Sequence, residues 1–102
     1  MQRKMNNISM KRRTRVYILV SATAVLAWYK VAKNGDWSHF PDVRQSWRNS
    51  DNVGTCVVFD ISHNKCRLIA WINYRSRKLF IRYILSHVDY DREKWKHDCD
   101  CD

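Results

Sequence analysis

Lys65, Arg67, Arg82, His87 and Tyr90 are the residues of this 102-residue chain whose types and spacing could do chemistry. Guanidinium and ammonium groups hold anions, an imidazole with an intrinsic pKa near ~6.5 exchanges protons at neutral pH, and a phenol can donate one. Such a set suits an anionic ligand on which a proton must be moved. The charge balance points the same way. Lys and Arg number 19 against 10 Asp and Glu, for a formal charge of +9 and a pI near 9.7. That favours a polyanionic partner: nucleic acid, an anionic membrane surface or an acidic protein.

These side chains meet only if the stretch from Val53 to Asp91 folds as consecutive antiparallel strands. It reads VGTCVVFDIS, HN, KCRLIAWINY, RSRK, LFIRYILS and HVDYD, apolar runs rich in β-branched and aromatic residues with short polar breaks. A two-residue turn at His63-Asn64 places Asp60 opposite Arg67, Phe59 opposite Leu68 and Val57 opposite Ala70. A four-residue turn at Arg75-Ser76-Arg77-Lys78 places Tyr74 opposite Leu79, Ile72 opposite Ile81 and Leu68 opposite Leu85, with Arg67 opposite Ser86. One face then collects Val53, Val57, Phe59, Ile61, Cys66, Leu68, Ala70, Ile72, Tyr74, Leu79, Ile81, Tyr83 and Leu85, a core face. The other mixes Lys65, Arg67 and Arg82 with Val58, Ile69, Trp71, Phe80 and Ile84, more apolar surface than a merely solvated face needs.

The preceding residues must cover the core face. Met1 to Arg15 carries six Lys or Arg and no acid, and reads as a frayed basic arm. Val16 to Tyr29 is apolar, which raises a membrane anchor or a signal peptide cleaved near Ala24 or Ala27. Fourteen residues fall short of the ~20 that span a bilayer. The competing reading gives Arg15 to Val20 strand composition. Ala22, Val25, Leu26, Tyr29 and Ala32 then form one helical face, with Gly35 just past the last turn. Pro41 can open a short helix, and Trp37, Phe40 and Trp47 are expected to close one end of the sheet. RNSDNVG reads as a polar loop, and SHVDYDREKWKHD as a turn or short helix docked by Trp95. The expectation is one α+β domain: a small antiparallel sheet of three to four strands packed against an N-terminal helix or helices. Its bounds are a basic arm over 1–15, a folded body over 16–96 and an acidic cysteine-containing tail over 97–102.

Of the four cysteines, Cys56 and Cys66 fall on opposite faces in this register, and Cys99 and Cys101 lie in the tail HDCDCD. C-x-C lacks the spacing and partners of a zinc module. No metal or cofactor is expected, and reduced thiols in a cytoplasmic chain are the plainer reading.

The run NKCRLIAWINYRSRKLFIRYILSHVDYDREKW resembles the HigB branch of the RelE-like toxins, bacterial endoribonucleases paired with HigA-type antitoxins. The residues that carry the resemblance are Asn64, Lys65, Arg67, Leu68, Ile69, Ile81, Arg82, Leu85, Ser86, His87, Tyr90 and Asp91, and it extends over roughly Leu26 to Lys96. The family begins with a short strand followed by two helices; Met5 to Ser9 can be that strand, but Thr14 to Thr23 has no acidic residue and looks strand-like, a departure from the family. The resemblance implies a RelE-like fold and metal-independent cleavage of messenger RNA on the ribosome, by attack of a ribose 2′-hydroxyl on the adjacent phosphodiester. It also implies a helix-turn-helix antitoxin of the HigA kind, with operator DNA reached only through that complex and no membrane involved. Arg67 and Arg82 would hold the phosphorane, His87 would act as acid or base, and Tyr90 would relay a proton or position phosphate. Lys65, Arg75, Arg77, Lys78 and Trp71 would contact RNA.

Each has a plainer role. Arg67 can pair with Asp60 across the strands, Arg82 can stack on Trp71, and His87 can cap the strand end. A non-catalytic binding module, made of a toxin that has lost turnover, is the competing function.

Overall fold

The computed structural model describes residues 4–16, 21–62 and 65–92. Its elements are β1 (Asn7–Val16), α1 (Ala22–Lys33), α2 (Phe40–Ser46), β2 (Ser50–Val53), β3 (Cys56–Ile61), β4 (Cys66–Asn73), β5 (Lys78–Ser86) and α3 (His87–Asp91). The strands form one mixed sheet in the order β1-β5-β4-β3-β2.

The sheet has five strands where three to four antiparallel ones were expected. Residues of the supposed polar loop form β2, antiparallel to β3, with Gly54 at φ 57° in the connecting turn. There the left-handed backbone favours a residue without Cβ. The supposed frayed arm contains β1, which pairs in parallel with β5. Its basic composition hid an ordinary anchoring pattern: Met5 is buried in the core and Ile8, opposite Leu79, packs against it.

The β3–β4 register is the one expected, with Asp60 opposite Arg67, Phe59 opposite Leu68 and Val57 opposite Ala70; the turn residues themselves lie outside the described set. The β4–β5 register differs. The connection is Tyr74 to Arg77, and Asn73 opposes Lys78, Ile72 opposes Leu79 and Ala70 opposes Ile81. Ile69 then opposes Tyr83, so Arg82 is an extra residue in β5, a bulge. Beyond it the alternation flips. Ile84 joins the core, whereas Tyr83 and Leu85 turn to the other face, against the expectation that both were core. Leu68 faces Ile84 rather than Leu85, and Arg67 faces Leu85 rather than Ser86.

The main core gathers Val57, Phe59, Leu68, Ala70, Leu79 and Ile81 from the sheet with Trp28, Ala32, Trp37 and Val43 from the helical layer. Helix α1 starts at Ser21, whose hydroxyl accepts from the Ala24 amide, and ends at Asn34, whose side-chain amide donates to the Lys30 carbonyl. Its buried face keeps Val25 and Ala32 from the expected one but centres on Trp28. Trp28 is 1% exposed and meets Phe59 edge-on at 5.3 Å, whereas Leu26 and Tyr29 are 52% and 38% exposed. An indole buries more area than either side chain and fixes the helix rotation. Trp37 stacks on Phe59 at 6.1 Å from the other side, and its indole N–H donates to Ser46 Oγ at 3.0 Å. Trp47 donates to the Asp60 carbonyl at 2.8 Å. Gly35 is needed for closeness, because a Cβ there would lie 2.5 Å from the Trp37 ring.

The opposite face carries a smaller cluster of Cys56, Val58, Ile69 and Leu85, with Trp71, Tyr83 and Tyr90 packed against it. Cys66 is a free, buried thiol and Cys56 is disulfide-bonded, so the reduced-thiol reading fails at Cys56. The expectations for Trp95, Cys99 and Cys101 fall outside the described residues. No helix among the described residues is long and apolar enough to cross a membrane.

Candidate functional site

The start of β4 and the β5–α3 junction lie side by side, because Cys66 opposes Ser86 and the His87 amide donates to the Lys65 carbonyl at 3.1 Å. This backbone bond joins the two residues that open the site. Ser86 ends the strand as the cap of α3, its hydroxyl accepting from the Asp89 amide at 3.1 Å. One turn of helix then brings Tyr90 back over the sheet. The Arg67 guanidinium carbon lies 5.4 Å from the Tyr90 ring centroid, a cation–π contact, and Arg67 Nε meets Asp60 Oδ1 at 2.7 Å. Arg67 is thus clamped between a carboxylate and an aromatic face. Its side chain is 14% exposed. An ion pair fixed this tightly orients the guanidinium plane, which is what recognition of two oxygens requires.

His87 Nε2 lies 3.4 Å from Asp91 Oδ2, one helical turn on, with both side chains 58% exposed. Asp91 was visible only as part of the resemblance, and its spacing to His87 is the signal for its orienting role. Lys65 is exposed beside them. Arg82 sits in the bulge three residues before Leu85, the partner of Arg67. Its Nε is buried without a hydrogen-bond partner. Such a donor costs about 1–3 kcal/mol, so stability does not explain this placement. Bulges recur beside functional sites because they re-aim a side chain.

The structure therefore brings Lys65, Arg67, His87 and Tyr90 together, with Arg82 on the adjoining strand. Arg75, Arg77 and Lys78 lie elsewhere. Lys78 opposes Asn73, six residues along β4 from Arg67, roughly 20 Å at the rise of an antiparallel strand. Arg77 braces the fold: its guanidinium donates to the Trp37 carbonyl at 2.7 Å and to Asp36 at 3.0 Å. Trp71 opposes Phe80 and their rings meet at 5.6 Å, which replaces the expected Arg82 stack. A cleft of about 720 Å³ between the start of α1 and the end of β3 is walled by Arg48, Asn49 and Asp60, the carboxylate that holds Arg67. Among the described residues no group of three His, Cys, Asp or Glu side chains is placed to hold a metal ion.

Residues 21–93 match the family model described as HigB_toxin, RelE-like toxic component of a toxin-antitoxin system. The chain belongs to the HigB toxin family. It is 32% identical over 74 residues to a protein named mRNA interferase HigB from Escherichia coli O6:H1, an alignment covering 70% of this chain and 72% of that relative. The family match contains every site residue discussed above and leaves out β1.

Proposed function

We propose that the protein is an endoribonuclease, the toxin of a type II toxin–antitoxin pair, that cleaves messenger RNA in the cytoplasm by a reaction needing no metal. The observation that carries the reading is the joining of Lys65, Arg67, His87 and Tyr90 by the Lys65–His87 backbone bond and the Arg67–Tyr90 stack. The ribose 2′-hydroxyl attacks the adjacent phosphorus and gives up its proton; the bond to the 5′-oxygen breaks and that oxygen takes a proton. The products are a 2′,3′-cyclic phosphate and a free 5′-hydroxyl. Arg67 and Arg82 stabilise the pentavalent phosphorane, whose extra charge is absent from the ground state. His87 is the group with the right intrinsic pKa for one proton transfer, and Asp91 orients it. Tyr90 and Lys65 are close enough to serve the other or to hold phosphate. Trp71 and Phe80 offer a ring pair on which a base can stack. The ribosome positions the message, and a small helix-turn-helix antitoxin neutralises the toxin.

The test is expression without the antitoxin, followed by mapping of 5′ ends after incubating purified protein with translating ribosomes. Wild type should arrest translation and create new 5′-hydroxyl ends. Arg67→Ala and His87→Ala, shown to be folded, should lose both. Absence of new ends at saturating wild-type protein would leave a binding module instead of a nuclease.

A further inference from the structure

The cleft beside Asp60 has no part in the reaction described above. Its volume of about 720 Å³ falls within the ~300–1,000 Å³ of pockets that enclose a small ligand. Three consecutive residues, Trp47, Arg48 and Asn49, line one side, and Thr23 of α1 and Ser62 after β3 add hydroxyls. The backbone of that side is held firmly. The Trp47 amide donates to the Val43 carbonyl, its indole to the Asp60 carbonyl, Ser50 Oγ to the Trp47 carbonyl and the Asp60 amide to the Asn49 carbonyl, each at 2.8 Å. The Arg48 guanidinium and the Asn49 side-chain amide take no part in these bonds, and both residues are exposed. No carboxylate among the described residues pairs with Arg48. A cation and an amide are thus presented on a fixed backbone beside a half-buried indole, which spares a ligand the cost of ordering them. Asp60 is the only acidic residue in the lining, and its Oδ1 holds Arg67 Nε at 2.7 Å. That pairing answers its charge and leaves Arg48 to set the sign of the cleft. It also puts the cleft and the guanidinium assigned to the phosphorane at two ends of one ion pair.

We propose that this cleft is a nucleotide subsite, which takes a nucleotide of the message flanking the scissile bond: its phosphate on Arg48, its base against the Trp47 ring and the base edge on the Asn49 amide. The inference rests on the ribonuclease reading of the Arg67 centre and deepens it, by naming what reads the substrate. Single-stranded RNA is recognised by this combination of an aromatic face, a cation and a group that pairs with an exposed base edge. The contributions divide by chemistry. A guanidinium on phosphate and a ring under a base add affinity for any sequence, whereas an amide, with a donor and an acceptor side by side, discriminates between bases. The subsite thus selects the message and leaves the chemical step to Arg67, Arg82 and His87.

The experiment measures binding of 2′-methoxy hexanucleotides of A, C and U, which cannot be cleaved, by fluorescence anisotropy between 50 and 200 mM salt. Arg48→Gln should weaken all three alike and flatten the log–log salt slope by about 0.7, the share of one phosphate contact on a single strand. Over that fourfold salt range, wild-type affinity then falls about 2.6-fold more than the variant's. Arg48→Lys, which keeps the charge, should restore the slope. Asn49→Ala should keep the slope and lose about tenfold on the preferred base, which compresses the spread among the three. Lys33→Gln, which removes an exposed cation at the other end of α1, controls for net charge and should bind as wild type. Arg48 and Asn49 test the cleft independently, so one variant that fails to fold leaves the other to decide. A wild-type slope in Arg48→Gln overturns the proposal; so does an equal change in Lys33→Gln, or an unaltered spread in Asn49→Ala. Adenosine monophosphate that binds through Arg48 while the hexanucleotides ignore it would make the cleft a small-molecule site and overturn it too. Because binding is read without cleavage, a failure of the nuclease reading shows separately, as absent 5′ ends.

Discussion

Replacing Arg77 separates a brace from an RNA contact. The side chain is 13% exposed and holds the Trp37 carbonyl at 2.7 Å, while its Asp36 partner is 44% exposed. The ion pair alone is worth under about 1 kcal/mol at that exposure. The carbonyl is the larger stake, because a charge-assisted hydrogen bond contributes about 1.5–3 kcal/mol and a shielded acceptor left unpaired costs a similar amount. Arg77→Ala should therefore destabilise the fold by about 2–3 kcal/mol, or roughly 8–20 °C in Tm for a domain of this size. The backbone supplies an internal control. Arg77 sits at φ 60°, and its carbonyl accepts from the Asn6 and Asn7 amides. Arg77→Gly loses the guanidinium but relieves the left-handed strain, so it should be about 1 kcal/mol more stable than Arg77→Ala. Urea unfolding of the three proteins, with RNA binding measured in parallel, checks both numbers. An alanine variant within 0.5 kcal/mol of wild type (about the scatter of a surface substitution) that binds RNA more weakly would refute the bracing argument and restore Arg77 to the RNA surface.

Gly35→Ala should cost about 1–3 kcal/mol in the same assay, since its Cβ would lie 2.5 Å from a Trp37 ring already stacked on Phe59; an unchanged midpoint would show that the ring can shift. Burial pushes both the Cys66 thiol and the Tyr74 phenol above their ordinary values of 9.0 and 10.0. Both groups are neutral below those values and the folded state holds their protons more tightly, so stability is intact there and falls as pH rises through the raised pKa values. A Tm series from pH 8 to 11 should show that fall, and Tyr74→Phe should make it shallower above pH 10; identical profiles would deny Tyr74 any part in it. Asp60→Asn should lower turnover roughly tenfold to a hundredfold with little change in KM, as a misaimed catalytic group does, and should add nothing in an Arg67→Ala background. Full turnover in a folded Asp60→Asn protein would show that Arg67 needs no clamp.

The register of the first hairpin was legible because the apolar alternation of β3 and β4 admits one pairing, with Asp60 opposite Arg67. The second was misread where side-chain type gives no warning. Ile84 and Leu85 suit either face, and only the extra residue at Arg82 decides which is core. The grouping of Lys65, Arg67, His87 and Tyr90 survived that error, since it depends on the strand ends meeting at Cys66 and Ser86. The outer strands were harder to read: β2 is written in polar residues and reads as a loop, while β1 is written in cations and only the resemblance marks Met5 to Ser9 as a strand; both form because a neighbour offers an open edge. The rotation of α1 was missed because a regular spacing of medium-sized apolar residues was weighed above the single indole of Trp28.

Pairing the opening strand with β5 has a temporal consequence. The Asn6 side chain binds the Ser76 carbonyl, 70 residues away, and β5 itself ends at Ser86 of 102 residues. Closing so long a loop is entropically demanding and slow relative to local hairpins. A growing polypeptide therefore carries β1 without its partner until β5 has been made, and the strand that flanks Arg82 is in place long before Arg82 itself. Completion of the sheet acts as a delay between translation of this chain and its first encounter with a message.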